Sequence, residues 1–172
     1  MSRSVDIALQ VNGEDVKATV QSRLNLVDFL RNELGLTGSH VGCEHGVCGA
    51  CTIIVDGDTV RGCLMLAAQA NGKEVMTIEG LADSGKSTAL QAAFTKRNAL
   101  QCGFCTPGML ASAIGYIDAG GDANREAIRQ HISGNYCRCT GYQSIVDAIC
   151  DVIEEARTLP AQQLFLTKKI AI

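Results

Sequence analysis

Cysteine content constrains this chain more than any other feature of its sequence. The 172 residues include nine cysteines, four of them between residues 43 and 63 and four between residues 102 and 139. The amino terminus alternates apolar and polar residues and lacks the uninterrupted apolar run of about 7–15 residues typical of secretory signals. We therefore expect the protein in a reducing cytoplasm, where disulfides are rare and clustered cysteines more often bind metal. The odd count also argues against complete internal pairing.

Charge and hydropathy exclude several other classes of protein. The net charge is −3 and there is no run of lysine or arginine, which argues against nucleic-acid binding. No stretch of about 18 apolar residues is present, so we expect no integral membrane segment. Apolar residues make up 47% of the chain, enough to build a core without disulfides.

The first half of the chain has the pattern of short strands with one helix. Asn12-Gly13 follows an alternating apolar segment and Asp56-Gly57 follows Cys51-Thr-Ile-Ile-Val55, and both predict tight β-hairpins. Leu26 to Leu34 predicts a short helix that Gly35 ends in a left-handed conformation. Val75 to Ile78 predicts one more strand. These elements favour a small mixed sheet with a helix packed across it.

The second half has helical periodicity and predicts a four-helix unit. One helix contains Leu90 and Phe94, and Thr106-Pro107 opens a second with an N-cap and an early proline. Asn124 to Ile132 forms the third, and Thr140-Gly-Tyr-Gln143 resembles a capping box for the fourth. The predicted fold is α+β, with domains at 1–82 and 83–160, a linker near Asp83–Ser87, and a carboxy-terminal extension at 161–172.

The first cysteine set has a spacing that resembles plant-type [2Fe–2S] ferredoxins. It reads C-x4-C-x2-C over Cys43, Cys48 and Cys51, with Cys63 twelve positions later. Three ligands within nine residues require a tightly curled loop, and interspersed glycines permit positive φ and close approach of amides to sulfur. The alternative is structural zinc, which more often uses two short-spaced pairs.

The second set consists of two pairs in interhelical turns, Cys102 with Cys105 and Cys137 with Cys139. The turns can meet at one end of the bundle and hold a second [2Fe–2S] cluster, and spacing alone leaves zinc open. The ninth cysteine, Cys150, falls on an apolar helix face and is predicted to be a small buried side chain. The three histidines are predicted not to be ligands.

Gly80 to Ser87 matches the phosphate-binding pattern G-x-x-x-x-G-K-[ST]. A P-loop domain needs several βαβ crossovers, and no strand pattern follows residue 80. We therefore reject nucleotide binding and interpret the segment as part of the linker.

Three motifs together resemble the small iron–sulfur subunit of the molybdenum hydroxylases, the xanthine oxidase, aldehyde oxidoreductase and carbon monoxide dehydrogenase family. They are Gly42-Cys-Glu-His-Gly-Val-Cys-Gly-Ala-Cys-Thr52, Gln101-Cys-Gly-Phe-Cys-Thr-Pro-Gly108 and Ser133-Gly-Asn-Tyr-Cys-Arg-Cys-Thr-Gly-Tyr142. The resemblance spans residues 5 to 155 and implies a β-grasp plant-type ferredoxin-like domain followed by a four-helix bundle domain.

The resemblance also implies what each cysteine set does. Cys102, Cys105, Cys137 and Cys139 would hold the [2Fe–2S] cluster nearest the molybdenum, with Gln101 and Cys139 contacting the pterin of the molybdenum cofactor in a large partner subunit. Cys43, Cys48, Cys51 and Cys63 would hold the distant cluster, facing a medium subunit with FAD. The expected assembly is a heterotrimer or a dimer of heterotrimers. His40 stands where relatives often have lysine.

The function that follows is electron relay without catalytic residues in this chain. Single electrons would pass from the molybdenum site through both clusters to a flavin subunit or an external acceptor. Purines, N-heterocycles, aldehydes and carbon monoxide are all substrates that the resemblance allows for the large subunit. Two other hypotheses are a free-standing diffusible electron carrier and a zinc-stabilised binding module. The apolar extension at 161–172 is a candidate partner contact or a segment packed on its own bundle.

Overall fold

A five-stranded mixed sheet forms the first half of the molecule. The computed structural model describes residues 3–158, and the predicted extension at 161–172 lies outside them. The strand order is β2-β1-β5-β3-β4, with β1 and β5 parallel and the other neighbours antiparallel. The strands are β1 Ser4–Val11, β2 Glu14–Gln21, β3 Thr52–Val55, β4 Asp58–Arg61 and β5 Glu74–Met76.

Both predicted hairpin turns are present. Asn12 and Gly13 have φ values of 53° and 85°, and Asp56 and Gly57 have 51° and 88°. Positive φ at both central residues is the geometry of a type I′ turn, whose twist matches that of the paired strands. Asparagine and aspartate tolerate this region better than other non-glycine residues. The turn chemistry therefore sets the register of both hairpins.

A short helix packs across the sheet, as the β-grasp prediction requires. Helix α1, Leu26–Asp28, continues into a π-helical turn, Phe29–Glu33, and Gly35 follows with φ of 72° as the predicted left-handed cap. A 3-10 helix, Ala67–Ala70, covers the same core. The buried side chains of this first core are Ile7, Leu9, Val11, Val20, Leu26, Phe29, Leu30, Ile53, Val55, Ala67, Ala70 and Val75.

Five helices form the second half. They are α2 Ile78–Asp83, α3 Thr88–Lys96, α4 Thr106–Asp118, α5 Arg125–Ile132 and α6 Gln143–Thr158. The third predicted helix is present as α5, and its N-cap is Asn124, whose Oδ1 accepts the backbone N–H of Glu126 and of Ala127, both at 3.0 Å. Across residues 3–158, no helix is long and apolar enough to cross a membrane.

Three local predictions were wrong in detail. The strand ends at Met76 and Ile78 begins α2, a helix too short to show a clear period in the sequence. The N-cap of α4 is Cys105 rather than Thr106. The capping box at Thr140 does not form, because Gly141 and Tyr142 have φ values of 68° and 70° and a helix begins only after them.

Helix α2 also covers the start of the segment that matches the phosphate-binding pattern. Gly80 to Asp83 are helical, and the N–H of Ser84 donates to the carbonyl of Gly80 at 2.9 Å. A phosphate-binding loop needs free backbone amides at this position. Residues Gly80 to Asp83 are helical instead, so they do not form such a loop. The predicted boundary at 82/83 falls within α2, and Leu81 packs into the helical core.

The two halves pack directly on one another along β3 and α4. Alternate residues of β3 point to opposite sides, so Ile53 and Val55 join the first core whereas Ile54 joins the helical core. At Gly108 of α4, a Cβ atom would lie 2.2 Å from the carbonyl oxygen of Gly49. The glycine therefore lets α4 contact the loop that carries the first cysteine set.

Candidate metal centres

The first cysteine set lies on the loop between α1 and β3, with Cys63 just beyond β4. The backbone N–H groups of His45 and Cys48 both point at Sγ of Cys43, with N···S distances of 3.4 Å. The loop reaches this curvature through left-handed residues, with φ of 57° at Glu44, 74° at Gly46 and 72° at Gly49. Amides aimed at sulfur are the arrangement that stabilises a thiolate ligand.

The thiols of the first set differ in their surroundings. The amide N–H of Cys48, and then that of His45, lower the pKa of Cys43 to about 6. Burial raises the pKa of Cys51 to about 11, and contacts with Cys63 and Cys48 add to the rise. Cys43 and Cys51 thus each have other thiols of the set beside them, and a bound metal cation would offset the repulsion between neighbouring thiolates.

The second set lies at one end of the helical unit, in the turns before α4 and before α6. Sγ of Cys139 and Sγ of Cys102 are 3.6 Å apart. Burial raises the pKa of Cys105 to about 12, and a hydrogen bond with Cys137 is the next largest cause. The sequence prediction that the two turns meet is therefore confirmed, although Cys102 and Cys139 are exposed and the other two are partly buried.

Within the second set, the sulfur of Cys137 accepts a hydrogen bond from a side-chain hydroxyl. The Thr140 hydroxyl donates to its Sγ at 3.1 Å. Burial raises the pKa of Cys137, but the side-chain and backbone hydrogen bonds from Thr140 outweigh it and the pKa is lowered overall. By contrast, the hydrogen bond with Cys102 raises the pKa of Cys139.

The distance between the Sγ atoms of Cys102 and Cys139 is compatible with one metal ion bound by both thiolates. Tetrahedral coordination with metal–sulfur bonds of about 2.3 Å places two sulfurs about 3.8 Å apart, close to the Cys102–Cys139 distance of 3.6 Å. Within residues 3–158, no three His, Cys, Asp or Glu side chains surround one ion-sized point. A two-iron cluster takes its four thiolates as two pairs, one pair on each iron. The donor set present therefore fits that group.

Gln101 lies beside the exposed edge of the second set. Its Nε2 donates to the carbonyl oxygen of Cys139 at 3.2 Å, and both residues are exposed. The structure thus brings together the two residues that the resemblance implies for pterin contact. Phe104 and Tyr136, also exposed, border the same ligand turns.

A buried amide joins the two cysteine-bearing regions, and sequence reasoning missed it. Asn135 is 2% exposed. Its Nδ2 contacts the carbonyls of Gly49 and Gly108 and the hydroxyl of Thr52 at 3.0, 3.1 and 3.2 Å, and its Oδ1 accepts the Ser112 hydroxyl at 2.8 Å. The partners of Asn135 are distant in sequence, and the only local signal is its place two residues before Cys137.

Two further contacts tie the same regions together. Arg61 donates to the carbonyl of Gly134 at 2.8 Å and to the hydroxyl of Thr52. The backbone N–H of Tyr136 donates to the carbonyl oxygen of Cys48 at 2.8 Å. One hydrogen bond thus connects a cysteine of the first set to the residue that precedes Cys137.

The remaining cysteine and the histidines make other contacts. Cys150 is 4% exposed in the helical core, as predicted, and burial raises its pKa. His40 stacks on the ring of Phe104 with centroids 4.7 Å apart, and His45 Nδ1 contacts the carbonyl of Cys43. His131 Nε2 lies 3.0 Å from the carbonyl of Ser112.

Comparison with known proteins agrees with this architecture. Residues 9–82 match a family model described as a 2Fe-2S iron-sulfur cluster binding domain, and residues 77–150 match a [2Fe-2S] binding domain. The caffeine dehydrogenase subunit gamma of Pseudomonas sp. (strain CBB1) is 52% identical over 164 residues, which cover 92% of this chain and 96% of that subunit. The nicotine 6-hydroxylase small subunit of Paenarthrobacter nicotinovorans is 51% identical, covering 87% and 90%. A solved structure of quinoline 2-oxidoreductase from Pseudomonas putida 86 superposes with a TM-score of 0.85 at 48% identity, covering 91% of this chain and 98% of that one.

These matches define a protein of two domains that binds one [2Fe–2S] cluster in each. The chain belongs to the small iron–sulfur subunits of the molybdenum hydroxylase family, and it is an electron-transfer subunit of an oxidoreductase complex that has a large molybdenum-cofactor subunit. Both the zinc-stabilised module and the free-standing carrier are disfavoured, because the family models describe [2Fe–2S] binding and the relatives are subunits of complexes.

Proposed function

We propose that eight cysteines hold the two clusters as four pairs. Cys43 with Cys48 and Cys51 with Cys63 would bind the first cluster, and Cys102 with Cys139 and Cys105 with Cys137 the second. The 3.6 Å contact of Cys102 with Cys139 supports this assignment, as do the side-chain hydrogen bonds of Cys43 with Cys48, of Cys51 with Cys63 and of Cys105 with Cys137. When bound, each cluster takes up and releases one electron at a time.

The chain's own residues arrange the two sites in series. The second set opens to the surface at Cys102, Cys139 and Gln101, which supports contact of Gln101 and Cys139 with the pterin of the large subunit. The first set would then lie on the outgoing side, toward a flavin subunit or another acceptor. The hydrogen bond from Tyr136 to Cys48 offers a bonded connection between the two sites.

We further propose that the complex hydroxylates N-heteroaromatic compounds. This proposal rests on the relatives that are named for caffeine, nicotine, nicotinate and quinoline. A medium FAD subunit would complete a heterotrimer or a dimer of heterotrimers in the cytoplasm, and a relative named as a gamma subunit supports three kinds of chain. Dye reduction by the purified complex should be faster with quinoline or nicotinate than with simple aldehydes, and the reverse order would contradict the substrate class.

Iron analysis tests the ligand assignment. The intact complex should contain about four irons and four acid-labile sulfides for each copy of this chain. We expect Cys63→Ser to remove or alter only the cluster of the first set and Cys137→Ser only that of the second. Cys150→Ser is the matched control and should keep both clusters. Full iron content with unchanged spectra in Cys63→Ser would contradict the assignment.

A further inference from the structure

The turn after Cys139 is built so that one hydroxyl proton points at a ligand sulfur. The Thr140 hydroxyl lies 3.1 Å from Sγ of Cys137. The backbone N–H of Tyr142 donates to the same hydroxyl oxygen at 3.2 Å. A hydroxyl carries one proton and two lone pairs, so the incoming amide occupies a lone pair and leaves the proton for the sulfur.

The surrounding turn holds this arrangement in place. Tyr142 has a left-handed φ of 70°, which turns its N–H back toward Thr140. Its phenolic hydroxyl in turn accepts the backbone N–H of Cys137 at 2.8 Å, so the tyrosine contacts both ends of the turn. Residues other than glycine rarely adopt a left-handed conformation. At Tyr142 this conformation accompanies two hydrogen bonds, one to the Thr140 hydroxyl and one from the Cys137 amide, which hold the donor and the sulfur in place.

The two sites differ in how their sulfurs are hydrogen-bonded. At the first site the donors to Cys43 are backbone amides, which do not depend on the side chain at each position. At the second site a side chain, the Thr140 hydroxyl, also donates to Cys137, beside the backbone N–H groups of Thr140 and Cys139. Hydrogen bonds to the sulfurs stabilise the reduced, more negative cluster and therefore raise its reduction potential.

We propose that Thr140 is a positioning residue that raises the reduction potential of the second cluster through its hydrogen bond to Cys137. This inference rests on the proposed ligand set. The second cluster would then accept an electron more readily from the molybdenum side than the same thiolates would without the hydroxyl. The effect belongs to this chain and does not require a change in the large subunit.

The test is a redox titration, followed by electron paramagnetic resonance, of the complete complex carrying Thr140→Val, Thr140→Ala or Thr140→Ser. The Val and Ala variants should make reduction of the second cluster several-fold less favourable, up to about tenfold, which is about 59 mV for one electron. The Ser variant keeps the donor and should stay near wild type. The first cluster is an internal control and should not shift, and Cys137→Ser assigns the signal of the second cluster.

The three variants separate a hydrogen bond from packing. Valine fills the space of threonine, so a packing role predicts wild-type behaviour for Val and a change for Ala and Ser. An unchanged potential in both Val and Ala, or loss of the second cluster in both, would overturn the proposal and leave the relay function standing. Absence of a second cluster from the wild-type complex would instead contradict the proposed function.

Discussion

At the scale of single residues, Asn135 illustrates how a buried polar side chain can hold two ligand regions in register. One carboxamide satisfies the carbonyls of Gly49 and Gly108, which belong to opposite halves of the molecule. A buried carbonyl that loses its partner costs about 1–3 kcal/mol, so such a network is favourable only when every member is paired. The contact therefore fixes the distance between a first-set loop and the start of α4.

We expect Asn135→Ala to destabilise the cluster-loaded protein by about 1–3 kcal/mol, because buried groups lose their partner. For a chain of this size, each kcal/mol lowers the thermal midpoint by roughly 2–4 °C. The exposed Asn32 in the π-helical turn provides a control, and Asn32→Ala should change the midpoint little. Equal midpoints for Asn135→Ala and wild type would show that the network adds no net stability.

At the scale of elements, the strength of local signals decided what the sequence could predict. Two hairpins and the left-handed Gly35 follow from neighbouring residues and were predicted correctly. Helix α2 escaped prediction because six residues show no clear helical period. The capping box at Thr140 failed because Gly141 and Tyr142 are left-handed and the helix begins only at Gln143, which leaves the Thr140 hydroxyl facing a cysteine sulfur.

The same distinction between local and long-range signals applies to the two candidate metal sites. Cysteine spacing predicts that the members of each set converge, since ligands close in sequence must share a loop or a turn, and the contact of Cys102 with Cys139 agrees with this for the second set. The contacts of Arg61 with Gly134 and of Asn135 with Gly49 and Thr52 join residues 73–86 positions apart, and no periodicity or motif encodes such partners. Those contacts depend on how the two halves of the molecule pack together, which no local sequence pattern specifies.

Helix α4 contains two glycines, Gly108 and Gly115, whose replacement by alanine should affect stability differently. At Gly108 a Cβ would meet the backbone carbonyls of Gly49 and Ala50 at 2.2 and 3.0 Å, so Gly108→Ala must push α4 away from the first cysteine loop. At Gly115 the nearest atom is a methyl of the exposed side chain of Thr59, which can rotate away.

We therefore expect Gly108→Ala to lower the thermal midpoint and to change the spectrum of the first cluster. Gly115→Ala should be neutral or stabilising, since alanine favours a helix by up to about 1 kcal/mol over glycine. Thermal unfolding followed by cluster absorbance measures both variants. Equal stability of the two variants would contradict a close backbone contact at Gly108.

At the scale of the whole molecule, the two cysteine sets differ in their exposure to solvent. Cys102 and Cys139 are exposed, whereas Cys51 is buried beside the sheet and the other cysteines of its set are partly buried. Contact with the large subunit would cover the open edge of the second set. The chain outside its complex should therefore protect its clusters unequally.

An iron chelator should remove the second cluster first from the separated chain. Because ligand binding also stabilises the fold, the turns before α4 and α6 should lose hydrogen-exchange protection at the same time. Loss of each cluster is followed by its paramagnetic resonance signal. In the complete complex both signals should persist much longer, and faster loss of the first cluster would contradict the difference in exposure.

The packing of β3 on α4 has a consequence for how such complexes diversify. Because the carboxamide of Asn135 and the glycine contact both lie inside one polypeptide, the separation of the two redox centres is inherited with a single gene. A large subunit can then acquire a substrate pocket for a new compound while the spacing of the two clusters in the small subunit stays the same.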